Sequence, residues 1–163
     1  MKELLAQYAD YNMWANKRIC DLVINLTDEQ LNREINSSFS NIYKTLVHMW
    51  SVENVWWQRI KLVEKEVWAG EGFTGSVVEL TDALHHESKQ WKEWVANATE
   101  AALSHEFIYR NTKKDQFKQP VWEAVHHLFN HQTYHRGQLI TMLRQVGVTE
   151  LPATDQIAFS RKK

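Results

Sequence analysis

Long stretches of this sequence repeat apolar residues at intervals of three and four with almost nothing to interrupt them, and few folds satisfy that pattern. With Gly 5 and Pro 2 in 163 residues, the chain has little means of turning often, so its helices must run long. Leu4, Tyr8, Tyr11, Trp14, Arg18 and Leu22 predict a first amphipathic helix ending near Asn25. Thr27 with Gln30 forms a capping-box pattern. Residues 31–39, with Asn32, Asn36, Ser37 and Ser38, read as a connector. Ser40 is a good cap for a second helix from Asn41 to about Val63, which carries Leu46, Met49, Val52, Trp56 and Ile60 on one stripe and His48 beside it.

Gly70, Gly72 and Gly75 mark a loop around Phe73, after which Ser76 or Thr81 starts a third helix through Leu84, Trp91, Trp94, Val95 and Ala98. Residues 107–110 and 116–119 flank a turn-rich stretch and predict a short β-hairpin. Pro120 suits the first position of a last long helix, through Val125, Leu128, Gln132, Leu139, Met142, Leu143 and Val146, which Gly147 stops. A last turn follows Thr154. Four amphipathic helices bury their stripes most simply as a four-helix bundle, so the expected class is all-α, with an irregular helical arrangement as the alternative. At 163 residues the chain should form one domain over 1–163.

Several function classes fall away. Lys+Arg 19 against Asp+Glu 20 gives a net charge of −1, so no positive field exists to hold nucleic acid or an anionic membrane. No apolar run approaches membrane-spanning length. Cys20 is the only thiol, which rules out an internal disulfide and points to a small packing residue in a cytoplasmic protein.

The chemistry concentrates in Asn130-His131-Gln132-Thr133-Tyr134-His135-Arg136-Gly137-Gln138. On a helix, residues four apart lie roughly 40° apart and about 6 Å along the axis, with side chains leaning the same way. His131 and His135 can therefore share one cation, and so can His127 with His131 on the same stripe. A third ligand must come from another helix, and a bundle lets His48 face the last helix. Three neutral imidazoles suit Zn²⁺, Ni²⁺ or Fe²⁺. His126 and His127 read as surface or supporting residues, and His85, His86 and His105 as solvated or capping ones. An HExxH zinc protease needs a glutamate after its first histidine as general base. Gln132 occupies that position, and a carboxamide cannot take the proton. Glu53 lies about 140° round the helix from His48, which suggests a surface or interhelix ion pair instead.

Together these segments resemble the DinB/YfiT-like family of metal-binding four-helix bundles. Residues 11–18 (Tyr11-Asn12-Met13-Trp14-Ala15-Asn16-Lys17-Arg18) are similar to its first-helix pattern and the stretch from Ser40 through His48 to Trp57 to its second. Asn130-His131 followed by His135-Arg136-Gly137-Gln138 resembles its NHxxxHRGQ signature, and the tail with Pro152 and Asp155 its C-terminal pattern. The resemblance implies His48, His131 and His135 as the ligand set, with His127 one turn outside it. It also implies a homodimer, for which Trp14, Trp50, Trp56 and Trp57 offer aromatic area, their alternative role being core packing. Some relatives are similar to transferases that use low-molecular-weight thiols such as mycothiol or bacillithiol.

Two function classes follow. One is a metal-dependent enzyme, a thiol-dependent transferase or a hydrolase acting on a small molecule, with Tyr134 or Gln138 as pocket candidates that orient substrate. The other is a non-catalytic, stress-associated metal-binding protein whose ion staples the second helix to the fourth. In either case acid should expel the metal, through the ordinary imidazole range near pH 6.5.

Overall fold

The computed structural model describes residues 1–161. Four long helices carry the fold: α1 (Lys2–Val23), α3 (Ile42–Ile60), α4 (Val77–Asn97) and α6 (Val121–Gln145). Short helices α2 (Asp28–Asn32), α5 (Glu100–Ser104) and α7 (Gln156–Ser160) and an antiparallel hairpin of β1 (Glu106–Arg110) and β2 (Gln116–Pro120) fill the connections. The long helices form a ring in the order α1, α4, α3, α6, so α1 and α3 face each other across the bundle axis. Among the described residues no helix is long and apolar enough to cross a membrane.

Local chemistry accounts for the boundaries. The Thr27 hydroxyl accepts from the Gln30 amide at 3.2 Å while the Thr27 amide donates to the Gln30 side chain at 3.1 Å, a closed capping box that launches α2 within the expected connector. Ser76 and Glu79 make the same box for α4, which settles its start in favour of Ser76. Asn41, rather than Ser40, caps α3, its side-chain oxygen accepting from the Lys44 amide at 2.8 Å. That helix stops at Ile60, short of Val63, because Leu62 turns into the left-handed region at φ 55°. Pro120 closes β2 and precedes α6 as its N-cap instead of opening it. At the far end Gly147 takes φ 91° and the Val148 amide donates to Leu143 O at 3.0 Å, a glycine-terminated helix end that few other residues tolerate.

The α1 stripe is only partly the one its aromatics advertise: Tyr11 is buried, whereas Tyr8 and Trp14 are half-buried. Leu4 is 63% exposed, and the buried face runs through Leu5, Ala9, Asn12, Asn16, Ile19 and Val23. Two asparagines in the middle of that face hide it from an apolar count. They belong to a polar layer that separates two apolar halves of the core. One half gathers Leu5, Ala9, Val55, Trp91, Leu128 and Phe129, the other Ile19, Leu46, Met49, Leu84, Leu139 and Met142. Cys20 packs in the second half, where burial pushes its thiol up to about 12. All four candidate interface tryptophans make contacts within the chain: Trp14 packs against Phe159, Trp50 against Phe73, Trp56 against Tyr109 and Trp57 against Trp91.

Glu53 lies within the polar layer rather than at the surface, fully buried, and makes no direct ion pair among the described residues. Its Oε1 accepts from the side-chain amides of Asn12 and Asn16 at 2.9 and 3.1 Å, and the Ser88 hydroxyl donates to its Oε2 at 2.8 Å. The carbonyl oxygens of the same two asparagines accept from Arg136 Nη1 at 2.7 and 2.8 Å. Two amides thus relay a buried cation to a buried anion.

Burial pushes the Glu53 carboxyl up from 4.5 to about 7, against the pull of its Asn12 and Ser88 hydrogen bonds. The folded state therefore holds this proton more tightly than the unfolded chain does, and stability falls as pH rises from about 4.5 to about 7, then levels. Glu53→Gln removes the titration while keeping an acceptor for the asparagines. Its stability relative to wild type should rise between pH 5 and pH 8, by up to about 3 kcal/mol. Urea midpoints at the two pH values measure this, and a pH-independent difference would contradict it.

Candidate metal centre

His48 is presented by α3, and His131 and His135 by successive turns of α6, on the side of the bundle where those two helices meet. The sequence reasons for this placement lie on the buried face of α6. Gln132 donates to the Met49 carbonyl at 2.9 Å, fixing α6 against α3 directly beside His48. Arg136, next to His135, is anchored by Asn12 and Asn16 and by the Thr133 hydroxyl at 2.8 Å. Each α6 ligand thus has a neighbour in sequence that sets the helix register.

The geometry is convergent. The Nε2 atoms of His48 and His135 each lie 3.1 Å from the Nε2 of His131, and the ligand atoms of all three fall within 4.8 Å of one another. Gln138 orients one of them: its amide donates to Ser38 Oγ at 2.7 Å, which leaves its carbonyl oxygen 2.7 Å from His135 Nδ1. Because a carbonyl only accepts, Nδ1 carries the hydrogen and Nε2 of the neutral ring turns its lone pair toward the other two histidines. Phe39 stacks on His48 with ring centroids 4.3 Å apart and lies 5.7 Å from His135.

Electrostatics keep the rings unprotonated. Burial, reinforced by the neighbouring His135, pushes His48 down from 6.5 to about 4. His131 goes down to about 3 through burial and then the fields of His135, His48 and His127. His135 is also lowered by burial, with the Gln138 hydrogen bond opposing. Three neutral imidazole donors, one held by a carbonyl behind it, are the donor set a divalent first-row cation requires. The group fits these residues.

The remaining sequence candidates fall elsewhere. His127 sits one turn beyond, its ring 6.0 Å from His131 and against Trp56, outside the cluster. His126 and His105 are exposed, whereas His85 is half-buried with its Nδ1 lacking a hydrogen-bond partner. Tyr134 is 59% exposed, and with Gln138 it lines a small groove rather than the larger cavity beside His48. Gln138 therefore orients His135. Sequence reasoning missed Phe39 and Ser38, which lie in the connector; the available signal was one aromatic amid Asn and Ser.

Comparison with known proteins agrees with this architecture. The family model described as DinB family matches residues 1–162. Protein DinB of Bacillus subtilis (strain 168) is 26% identical, the alignment covering 93% of this chain and 91% of that protein. The crystal structure of a DinB-like protein from Bacillus subtilis superposes with a TM-score of 0.67 at 16% identity, covering 92% of this chain and 99% of that one, a likeness of fold.

Two outcomes follow from the geometry. Because burial lowers all three imidazoles, His48 to about 4 and His131 to about 3, Zn²⁺ affinity should fall on acidification in a window below the one that free imidazole gives. Gln138→Ala frees the His135 ring and should weaken Zn²⁺ binding about 10- to 100-fold. Competition against a chromophoric chelator reads both, and wild-type affinity in the variant would remove the role assigned to Gln138.

Proposed function

The chain belongs to the DinB family, and from that premise we propose that it is a metal-dependent enzyme, a thiol-dependent transferase or hydrolase, in which His48, His131 and His135 hold a divalent Zn, Ni or Fe ion. The observation that carries this reading is the convergence of three Nε2 atoms at a place where His48 also forms part of a cavity wall. Structural sites are closed by four protein donors, whereas catalytic ones keep a position open. Among the described residues the cluster comprises these three histidines, and a cavity adjoins it. When bound, the cation supplies Lewis acidity, bringing coordinated water to a pKa of about 7 and favouring the thiolate of a coordinated small thiol.

The chain's own residues orient and shield. Gln138 fixes the His135 tautomer, and Phe39 covers a face of His48 and limits water there. Gln132, buried and bound to the Met49 carbonyl, takes no part in proton transfer. The same reading includes a cytoplasmic homodimer, which sedimentation of the purified protein would reveal.

With Zn²⁺ bound, the protein should consume a small thiol in the presence of an alkylating electrophile. His48→Ala should reduce that rate at least about 100-fold, the two α6 histidines being too few to hold the ion at working concentrations, while the circular dichroism spectrum stays helical. Equal turnover in the variant would sink the proposal. A metal whose removal lowers the melting temperature, with no thiol shifting it further in the loaded protein, would favour the structural staple.

A further inference from the structure

We infer that the cavity beside His48 is the binding site for an uncharged, ring-bearing small molecule, the substrate partner of the centre; this rests on the enzymatic reading above. The cavity encloses about 680 Å³ between α3 and the loop ahead of α4, within the range of small-molecule sites, roughly 300–1,000 Å³. Phe39, Val47, Trp68 and Phe73 supply ring faces and aliphatic surface to its walls.

Three of the polar side chains in those walls already bond to the protein. The Tyr43 hydroxyl donates to Gly75 O at 2.6 Å and the Ser51 hydroxyl to Val47 O at 2.7 Å. The Lys44 ammonium donates to Ser40 Oγ at 3.1 Å. The Tyr43 and Ser51 hydroxyl hydrogens are thus spent within the protein, which favours an occupant that relies on apolar contact over one that needs those donors. At the exposed rim Lys44 and Glu71 carry opposite charges, so neither an anion nor a cation is favoured at the entrance. The two sides of the cavity are pressed together at Gly70, where a Cβ would run into Ser51 Oγ and Val47 Cγ1. The absence of a side chain there is what brings the loop carrying Trp68 and Phe73 against α3. His48 lines the same space, so an occupant touches the residue that completes the ligand set. Val47, immediately before His48, then sets the room available.

N-phenyl-1-naphthylamine, an uncharged fluorophore, is the probe. Its emission should rise saturably with the intact protein, and Val47→Trp should weaken binding at least tenfold while Zn²⁺ affinity stays at the wild-type value. Thr141→Trp, which fills the separate groove lined by Tyr134 and Gln138, should leave probe binding unchanged. Should Val47→Trp fail to fold, Val47→Phe fills the same space with a smaller ring. Wild-type affinity in the Val47 variant, equal weakening by Thr141→Trp, or no saturable binding would overturn the assignment. Probe binding that Val47→Trp weakens, in a protein that turns over no thiol, leaves the cavity assignment standing and removes the enzymatic reading. Thiol turnover without probe binding removes the cavity assignment alone.

Discussion

Arg136 keeps a guanidinium in a place 2% exposed to solvent, and much of the bundle's internal order answers that one charge. An isolated buried ion costs several kcal/mol, and its protein partners offset this only when geometry is good and the remaining donors are satisfied. Here compensation is distributed over both terminal nitrogens, while Nε finds no hydrogen-bond partner among the described residues. Asn12 and Asn16 receive its hydrogens and pass their own to Glu53, Thr133 takes another, and Tyr11 lies under the guanidinium at 5.1 Å. Ser88 closes the far end on Glu53. One residue set thus draws on α1, α3, α4 and α6, and every long helix has a single position along the axis at which these bonds can form.

That constraint reaches the histidines because they share helix turns with it. His135 precedes Arg136 and His131 precedes Gln132, so the inner face of α6 is locked by hydrogen bonds while the adjoining face presents imidazoles. An apolar core alone tolerates small slides of one helix along another, since dispersion contacts are non-directional. A layer of amides, carboxylate and guanidinium does not. Three Nε2 atoms 3.1 Å apart in two pairs require α3 and α6 in a definite register, and the polar layer provides a physical reason for it.

What the sequence made legible follows the same division. Long periodic segments, the Thr27 and Ser76 boxes and the hairpin are local events, decided by neighbours within four residues or so, and they appear in the structure near their expected bounds. The metal candidates were legible because one helix carries two of them. Long-range polar contacts were not. Glu53 reads as part of a surface or interhelix ion pair because nothing within its own helix reveals Asn12, Asn16 and Ser88 opposite it. The α1 face was mistaken in part for the same reason, since its central asparagines look like surface residues until Arg136 and Glu53 are placed. Phe39 and Ser38 belong to a connector whose path no periodicity records, yet they set the stacking on His48 and the amide orientation of Gln138.

Gln132 shows how far the fold limits the chemistry. A glutamate there would follow the first histidine, where HExxH enzymes keep their general base, but the structure gives the side chain other work. It is fully buried and its amide donates to the Met49 carbonyl. A carboxylate in its place would remove that donor, confront a carbonyl oxygen with an anion and add a negative charge to the buried interior, a combination that costs several kcal/mol. The register that aligns His131 and His135 with His48 and the base that a hydrolytic metalloprotease needs are thus competing demands on one position. In this chain the register holds the position.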